Sequence, residues 1–209
     1  MSFLNLLCCP ICKTNLNLKK NSLSCKNCGE KFLVKNKLVK MLVGISKDEE
    51  FSIKKWDRIY KQQLKTGSYR KDYEFEQRVY LKDTLRQIFD AKKIKNTIYL
   101  EIGCGPFFVG PHIAKKCKLI IGIDYSENAL KVAEKILEKY KVKNYLLIQA
   151  DILKIPIKEN KVDLVYGGGV IEHFKDTEVC IRELFRILKK GGISFNTVPY
   201  LNIGSLTYR

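Results

Sequence analysis

The sequence predicts an α/β protein whose main body is a parallel sheet with helices on both faces, preceded by a small four-cysteine ribbon. Three observations carry that expectation. Two CxxC pairs, Cys9-Pro-Ile-Cys12 and Cys25-Lys-Asn-Cys28, open the chain. After Thr97, runs with the β-branched and aromatic content of strands alternate with runs of helical periodicity. The first of those strands leads into a glycine-rich loop, YLEIGCGPFF at 99–108. Such alternation gives a parallel sheet joined by right-handed crossovers, with ligands at the carboxyl ends of its central strands.

The chain has 209 residues, 45% of them hydrophobic, enough for one ordinary domain and a small module. No stretch approaches the roughly 18 apolar residues that span a bilayer. The opening MSFLNLLCC lacks both a basic n-region and a long h-region. Eight cysteines, in close doublets or scattered singly, suit metal binding in a reducing cytoplasm better than a disulfide framework. The expected location is therefore cytoplasmic. The net charge of +17 would fit an anionic partner such as nucleic acid. It is spread along the whole chain, however, and comes from 32 Lys against 7 Arg. Arg is the side chain suited to bidentate phosphate contacts, so a solvated lysine-rich surface explains the excess equally well.

Taken in order, the first segment (1–45) is a metal module. Four thiolates in two knuckles close a tetrahedral shell around zinc, with Cys9, Cys12, Cys25 and Cys28 as ligands and Cys8 as a bystander. Leu16, Leu18, Leu23, Phe32, Val34, Leu38 and Val39 supply its strands. A closed four-cysteine shell leaves no open coordination position, so the expected role is structural. The second segment (46–96) reads as helical. Phe51, Trp56, Ile59, Tyr60 and Leu64 mark one helix, and Leu81, Leu85, Ile88 and Phe89 give a second, from Tyr73 to Ala91, one apolar face.

The third segment (97–209) holds strands at 98–103, 119–124, 145–151, 162–168 and 193–198. Ser126 caps a helix carrying Leu130, Ala133, Leu137 and Tyr140. Another helix carries Ile181, Leu184, Phe185 and Leu188 and ends at Lys189-Lys190-Gly191. The glycine loop lacks the Gly-Lys-Ser/Thr of a phosphate-binding loop, and Phe108 stands where a dinucleotide fingerprint needs its third glycine. Three acids surround it instead. Glu101 can fix the loop backbone or face a cationic amino group. Asp124 ends the second strand, placed to accept from two ribose hydroxyls. Asp151 ends the third, where it can accept from an exocyclic amine. Such a ring repels a diphosphate and suits a cationic nucleoside, which points to S-adenosylmethionine.

Residues 97–199 resemble the class I S-adenosylmethionine-dependent methyltransferases, the group that includes the ubiquinone and menaquinone methyltransferases. The blocks EIGCG (101–105), GIDYSENAL (122–130), QADILKIPIKENKVDLVYGGGVIEHFKD (149–176) and LFRILKKGGISFNTVP (184–199) carry the resemblance. It implies a Rossmann-like fold and an enzyme that transfers a methyl group. It also implies that Glu101, Gly103, Cys104 and Gly105 cradle the cofactor's methionine part, that Asp124 and Tyr125 lie at the ribose, that Asp151 and Ile152 frame adenine, and that Gly168 and Gly169 line the outer side. The first 43 residues or so resemble zinc-ribbon heads of some methyltransferases and the small methyltransferase-activator proteins. WDRIY (56–60) is similar to a segment that covers the cofactor in many small-molecule methyltransferases, which implies Trp56 or Tyr60 near the site.

The sequence departs from the family pattern in two places. Phe107 replaces a common third glycine, which predicts a less open loop. The chain also stops soon after its fifth strand, where the family adds an antiparallel hairpin; strand 193–198 is then an edge for a partner or second copy to cover, or the C-terminal strands are missing. Alignment of the nucleophile against an activated methyl can carry much of the rate. Among side chains, His173 is the candidate base by position, with loop shaping as its other role; His112 reads as structural. A small-molecule acceptor is the favoured expectation. Two alternatives stand beside it: an RNA methyltransferase that grips RNA with the ribbon, and an inactive scaffold that keeps the fold.

Overall fold

A computed structural model describes residues 2–44, 47–91 and 93–198, without the side chains of 2, 4, 47–53 and 91. The side chain of Phe51 and the segment 199–209 lie outside the described residues. The ribbon consists of β1 (Leu16–Lys19), β2 (Ser22–Cys25), β3 (Lys31–Lys35) and β4 (Leu38–Lys40), paired antiparallel in sequence order. All seven apolar positions read as strand residues lie in these strands. Leu23, Phe32, Val34, Leu38 and Val39 are buried, whereas Leu18 faces out.

The parallel body consists of β5 (Thr97–Ile102), β6 (Cys117–Asp124), β7 (Tyr145–Gln149), β8 (Val162–Gly168) and β9 (Leu188–Thr197). The two parts form one nine-stranded sheet in the order β1-β2-β3-β4-β7-β6-β5-β8-β9. The joint is β4, which pairs parallel with β7 from Leu38↔Leu147 to Lys40↔Gln149. Ribbon side chains Leu7, Cys9, Phe32, Val39 and Met41 share one buried cluster with Ile98, Ile121, Ile148, Ile155 and Ile187 of the body. Polar contacts reinforce the joint. Lys13 meets Glu183 at 2.7 Å and donates to the Ile155 carbonyl, and the Cys8 N–H donates to the Pro156 carbonyl. Cys8 is thus a packing residue beside the knuckle, as expected.

Helices α1 (Lys47–Thr66), α2 (Tyr69–Glu76) and α3 (Lys82–Ala91) form the connector. The break between α1 and α2 falls at Gly67, whose φ of +74° suits glycine. The helix expected from Tyr73 starts four residues earlier and contains a π turn at Gln77–Leu81. Ile88 is its buried anchor, while Phe89 stays partly exposed under the Lys116 ammonium, 4.4 Å from its ring centroid. The short α4 (Gly110–Ile113) follows the glycine loop. Helix α5 (Glu127–Lys139) starts as read, with the Ser126 hydroxyl accepting from the Ala129 N–H.

Helix α6 (Thr177–Ile187) corrects two expectations. It ends before Lys189-Lys190-Gly191, and those residues already belong to β9, which pairs with β8 from Leu188 onward. Its core stripe is Cys180, Leu184 and Ile187, so Ile181 and Phe185 point outward, Phe185 with 80% of its surface exposed. A helix repeat of 3.6 places 180, 184 and 187 on one face, and the apolar content of the neighbouring stripe misled the assignment. Strand β9 forms one edge of the sheet, as expected. No described helix is long and apolar enough to cross a membrane.

Candidate active site

β5 carries Glu101 to the base of the glycine loop, where four donors converge on its buried carboxylate. Oε1 accepts from the Phe108 N–H at 2.7 Å; Oε2 accepts from the Val109 and Gly110 N–H groups at 3.1 Å each and from the Tyr99 hydroxyl at 2.8 Å. Burial pushes this carboxyl up to about 7 against the pull of those donors. Of the two roles open to Glu101, the geometry commits its oxygens to the loop backbone and the start of α4.

Gly103 and Gly105 take φ of +52° and +46°, the left-handed region that glycine enters without strain. Both are also crowded. A Cβ on Gly103 would lie 2.6 Å from Val170, and one on Gly105 would lie 2.6 Å from the Tyr60 hydroxyl. Phe107 is left-handed too, at φ +67°, although it has a side chain. Its ring does not narrow the loop as expected. It turns inward, fully buried, into space left by two glycines: a Cβ on Gly110 would meet the ring at 2.2 Å and one on Gly122 at 3.3 Å. Gly110→Ala should therefore destabilise the protein by about 1–3 kcal/mol, the usual cost of overpacking a filled core, as read in urea unfolding.

Asp124 ends β6 and accepts from the Gly105 N–H on Oδ2 and the Ser126 N–H on Oδ1, both at 2.8 Å, with the Tyr125 backbone as a further, weaker donor. A carboxylate has about four acceptor positions, so these donors do not exhaust it. Burial raises its pKa to about 6, and the nearby Asp57 adds to the rise. Asp57 itself, on α1, accepts from the Ser126 hydroxyl at 2.7 Å and from the Asn128 side chain at 2.9 Å, tying the connector to the first turn of α5. Sequence reasoning passed over Asp57 although it lies inside WDRIY, because a helix-surface acid carries no local mark of the helix end it will meet.

Tyr60, one turn further along α1, reaches the loop as the resemblance implied, and Trp56 stacks against it with ring centroids 6.2 Å apart. Asp151 is buried and accepts from the Tyr125 hydroxyl at 2.6 Å and the Leu153 N–H at 2.7 Å, both on Oδ1; Ile152 is buried beside it. Cys104 is buried beneath the loop, its N–H bonded to the Ile123 carbonyl. Gly168 and Gly169 lie at the end of β8, and His173 is exposed on the short turn Ile171–His173 that follows. His112, by contrast, packs between Tyr73 and Tyr140, and burial lowers its pKa. The four ribbon cysteines converge as well, with all Sγ atoms within 4.8 Å of one another. The Thr14 hydroxyl lies 3.1 Å from the sulfurs of both Cys12 and Cys25.

Residues 100–195, the strand, loop and acids just described, match the family model of a methyltransferase domain. That stretch of the chain resembles methyltransferase domains. Residues 2–36 match a second family, the Trm112p-like proteins. The chain is 30% identical over 121 residues to a ubiquinone biosynthesis O-methyltransferase of Pelagibacter ubique, covering 56% of this chain and 49% of the relative. It is 38% identical over 96 residues to a demethylmenaquinone methyltransferase of Staphylococcus carnosus, covering 43% and 39%. The chain thus spans about half or less of the length of these curated relatives. Among solved structures, a candidate S-adenosyl-L-methionine-dependent methyltransferase from Methanococcus maripaludis superposes with a TM-score of 0.50 at 25% identity, over 75% of this chain and 66% of that one. A chain from the complex of the Haloferax volcanii Trm112 methyltransferase activator with its candidate methyltransferase gives 0.55 at 17% identity, over 68% and 59%, a likeness of fold.

Proposed function

We propose that this protein is an S-adenosylmethionine-dependent methyltransferase acting on a small-molecule or biosynthetic acceptor. The observation that carries the reading is Asp124: a carboxylate at a strand tip, bonded to Gly105 of the glycine loop, with acceptor capacity left for the ribose hydroxyls. Glu101 holds the loop in shape for the methionine part, with Gly103, Cys104 and Gly105 as its floor. Asp151 and Ile152 frame adenine, Tyr125 stands beside the ribose, and Gly168 and Gly169 line the outer side. The names of the quinone-pathway relatives support the small-molecule acceptor.

When bound, the cofactor supplies an electrophilic methyl on a sulfonium. The chain's own residues align the acceptor and exclude water, which can supply much of the rate through proximity. Tyr60 and Trp56 on α1 form the lid over the loop, so α1 shifts to admit ligand. His173 takes the proton from a weakly acidic acceptor. Cys9, Cys12, Cys25 and Cys28 hold a structural zinc: a tetrahedral shell with bonds of about 2.3 Å separates its sulfurs by roughly 3.8 Å, and contacts of 3.4 Å (Cys12–Cys25) and 3.5 Å (Cys9–Cys28) suit it. The cysteines, all free among the described residues, accord with a reducing cytoplasm. Among the described residues β9 ends the sheet, and a partner strand, a second copy or further strands of a longer chain would cover it.

The test is calorimetric titration with S-adenosylhomocysteine. Saturable one-site binding is expected, and no heat at millimolar ligand would overturn the reading in favour of the scaffold alternative. One observation favours RNA as acceptor: an open groove of about 780 Å³ on the ribbon's outer side is lined by Asn5, Asn15, Asn17, Lys19, Lys26 and Lys158 together with Leu16, Leu18 and Leu23. RNA binding that weakens steeply with salt and maps to those lysines would select it.

A further inference from the structure

We propose that Gln77 is a cofactor-binding residue that accepts a hydrogen bond from the α-ammonium group at the cofactor's amino-acid end. The inference rests on the methyltransferase reading above and adds a recognition element to it. Glu101 and Asp124, the two acids that bond the loop backbone, leave that cation without a partner. Glu101 has four donors already, and the proposal above assigns the remaining capacity of Asp124 to the ribose.

Gln77 opens the π turn Gln77–Leu81 within the helical run of α2 and α3. Single π turns inside longer helices occur frequently at functional sites. Its Nε2 donates to the Phe108 carbonyl of the glycine loop at 3.0 Å. A carbonyl only accepts, so this bond fixes which end of the amide is nitrogen. Oε1 is then turned away from Phe108, shielded from solvent, and without a hydrogen-bond partner among the described residues. An amide oxygen buried in this way loses free energy until a donor meets it. A ligand at the loop can supply that donor, and the ammonium is the cationic donor on that part of the proposed cofactor. Being neutral, the amide adds no further charge to a site that already holds Glu101 and Asp124.

The experiment compares two ligands by titration on the full chain: S-adenosylhomocysteine, which carries the ammonium, and 5′-methylthioadenosine, which shares the nucleoside and lacks the amino-acid end. Wild type binds both. Gln77→Met should weaken the first about tenfold or more, the scale of one charge-assisted hydrogen bond, and change the second less than about twofold. Gln77→Glu, which keeps an acceptor oxygen and loses the N–H to Phe108, should retain most of the homocysteine affinity. Equal weakening of both ligands by Met, no weakening of either, or a Glu variant as weak as Met would overturn the assignment while leaving the methyltransferase reading in place. If wild type binds neither ligand, that underlying reading falls instead.

Discussion

Replacing Asp124 by Ala should weaken S-adenosylhomocysteine binding by at least about 100-fold in calorimetric titration. The carboxylate acts at two levels. It fixes Gly105 and Ser126 through their N–H groups, and in the proposed complex it receives two ribose hydroxyls. Hydrogen bonds to a charged group are worth about 1.5–3 kcal/mol each, so losing two removes about 3–6 kcal/mol, and each ~1.4 kcal/mol is a factor of ten. Burial followed by the field of Asp57 places the Asp124 pKa at about 6. Below that value the carboxyl takes up a proton and gives up an acceptor position, so affinity should fall by up to about tenfold per pH unit. For folding the sign is reversed. The folded carboxyl binds its proton more tightly than the unfolded one, whose ordinary value is 3.8. This group therefore favours the fold as pH falls from about 6 toward 3.8, and that contribution is lost as pH rises back through 6. An Asp124→Ala variant that binds like wild type, or wild-type affinity that stays flat between about pH 5 and about pH 7, contradicts the ribose assignment.

The body of the fold was legible because its signals are local. Strand 162–168 has the bounds read for it, and Ser126 caps α5 as its side chain and position suggest. The two knuckles named their four cysteines through spacing alone. What escaped depends on contacts distant in sequence. Nothing around Leu38–Lys40 announces that this strand will pair with β7, more than a hundred residues away, and join two sheets into one. The inward turn of Phe107 required Gly110 and Gly122 to make room, a correlation visible only when both flank the ring. Asp57 and Gln77 look like ordinary polar positions on helices. Their significance comes from the α5 start and the Phe108 carbonyl that they meet across the fold.

Removing the zinc proposed for the ribbon, by chelation or by Cys12→Ser with Cys25→Ser, should lower the melting temperature of the whole chain in a single transition. In small zinc modules the metal supplies apparent folding free energy of about 10–16 kcal/mol. If only about 4 kcal/mol of that is expressed here, the shift is roughly 8–16 °C, at about 2–4 °C per kcal/mol for a chain of this size. The single transition follows from the joint. β4 continues the sheet through β7, Phe32 and Met41 share a core with Ile98 and Ile148, and Lys13 and Arg186 gather around Glu183. The effect should also reach the ligand site. Lys40 of β4 pairs at 2.7 Å with Glu127 in the first turn of α5, directly after the Asp124–Ser126 contact, so loosening the ribbon should loosen the end of the pocket proposed to hold the ribose. Metal removal should therefore weaken S-adenosylhomocysteine binding at temperatures where the chain is still folded. Two separate melting steps with the upper one unmoved would show instead that the ribbon folds as an independent unit and that the shared sheet transmits no stability.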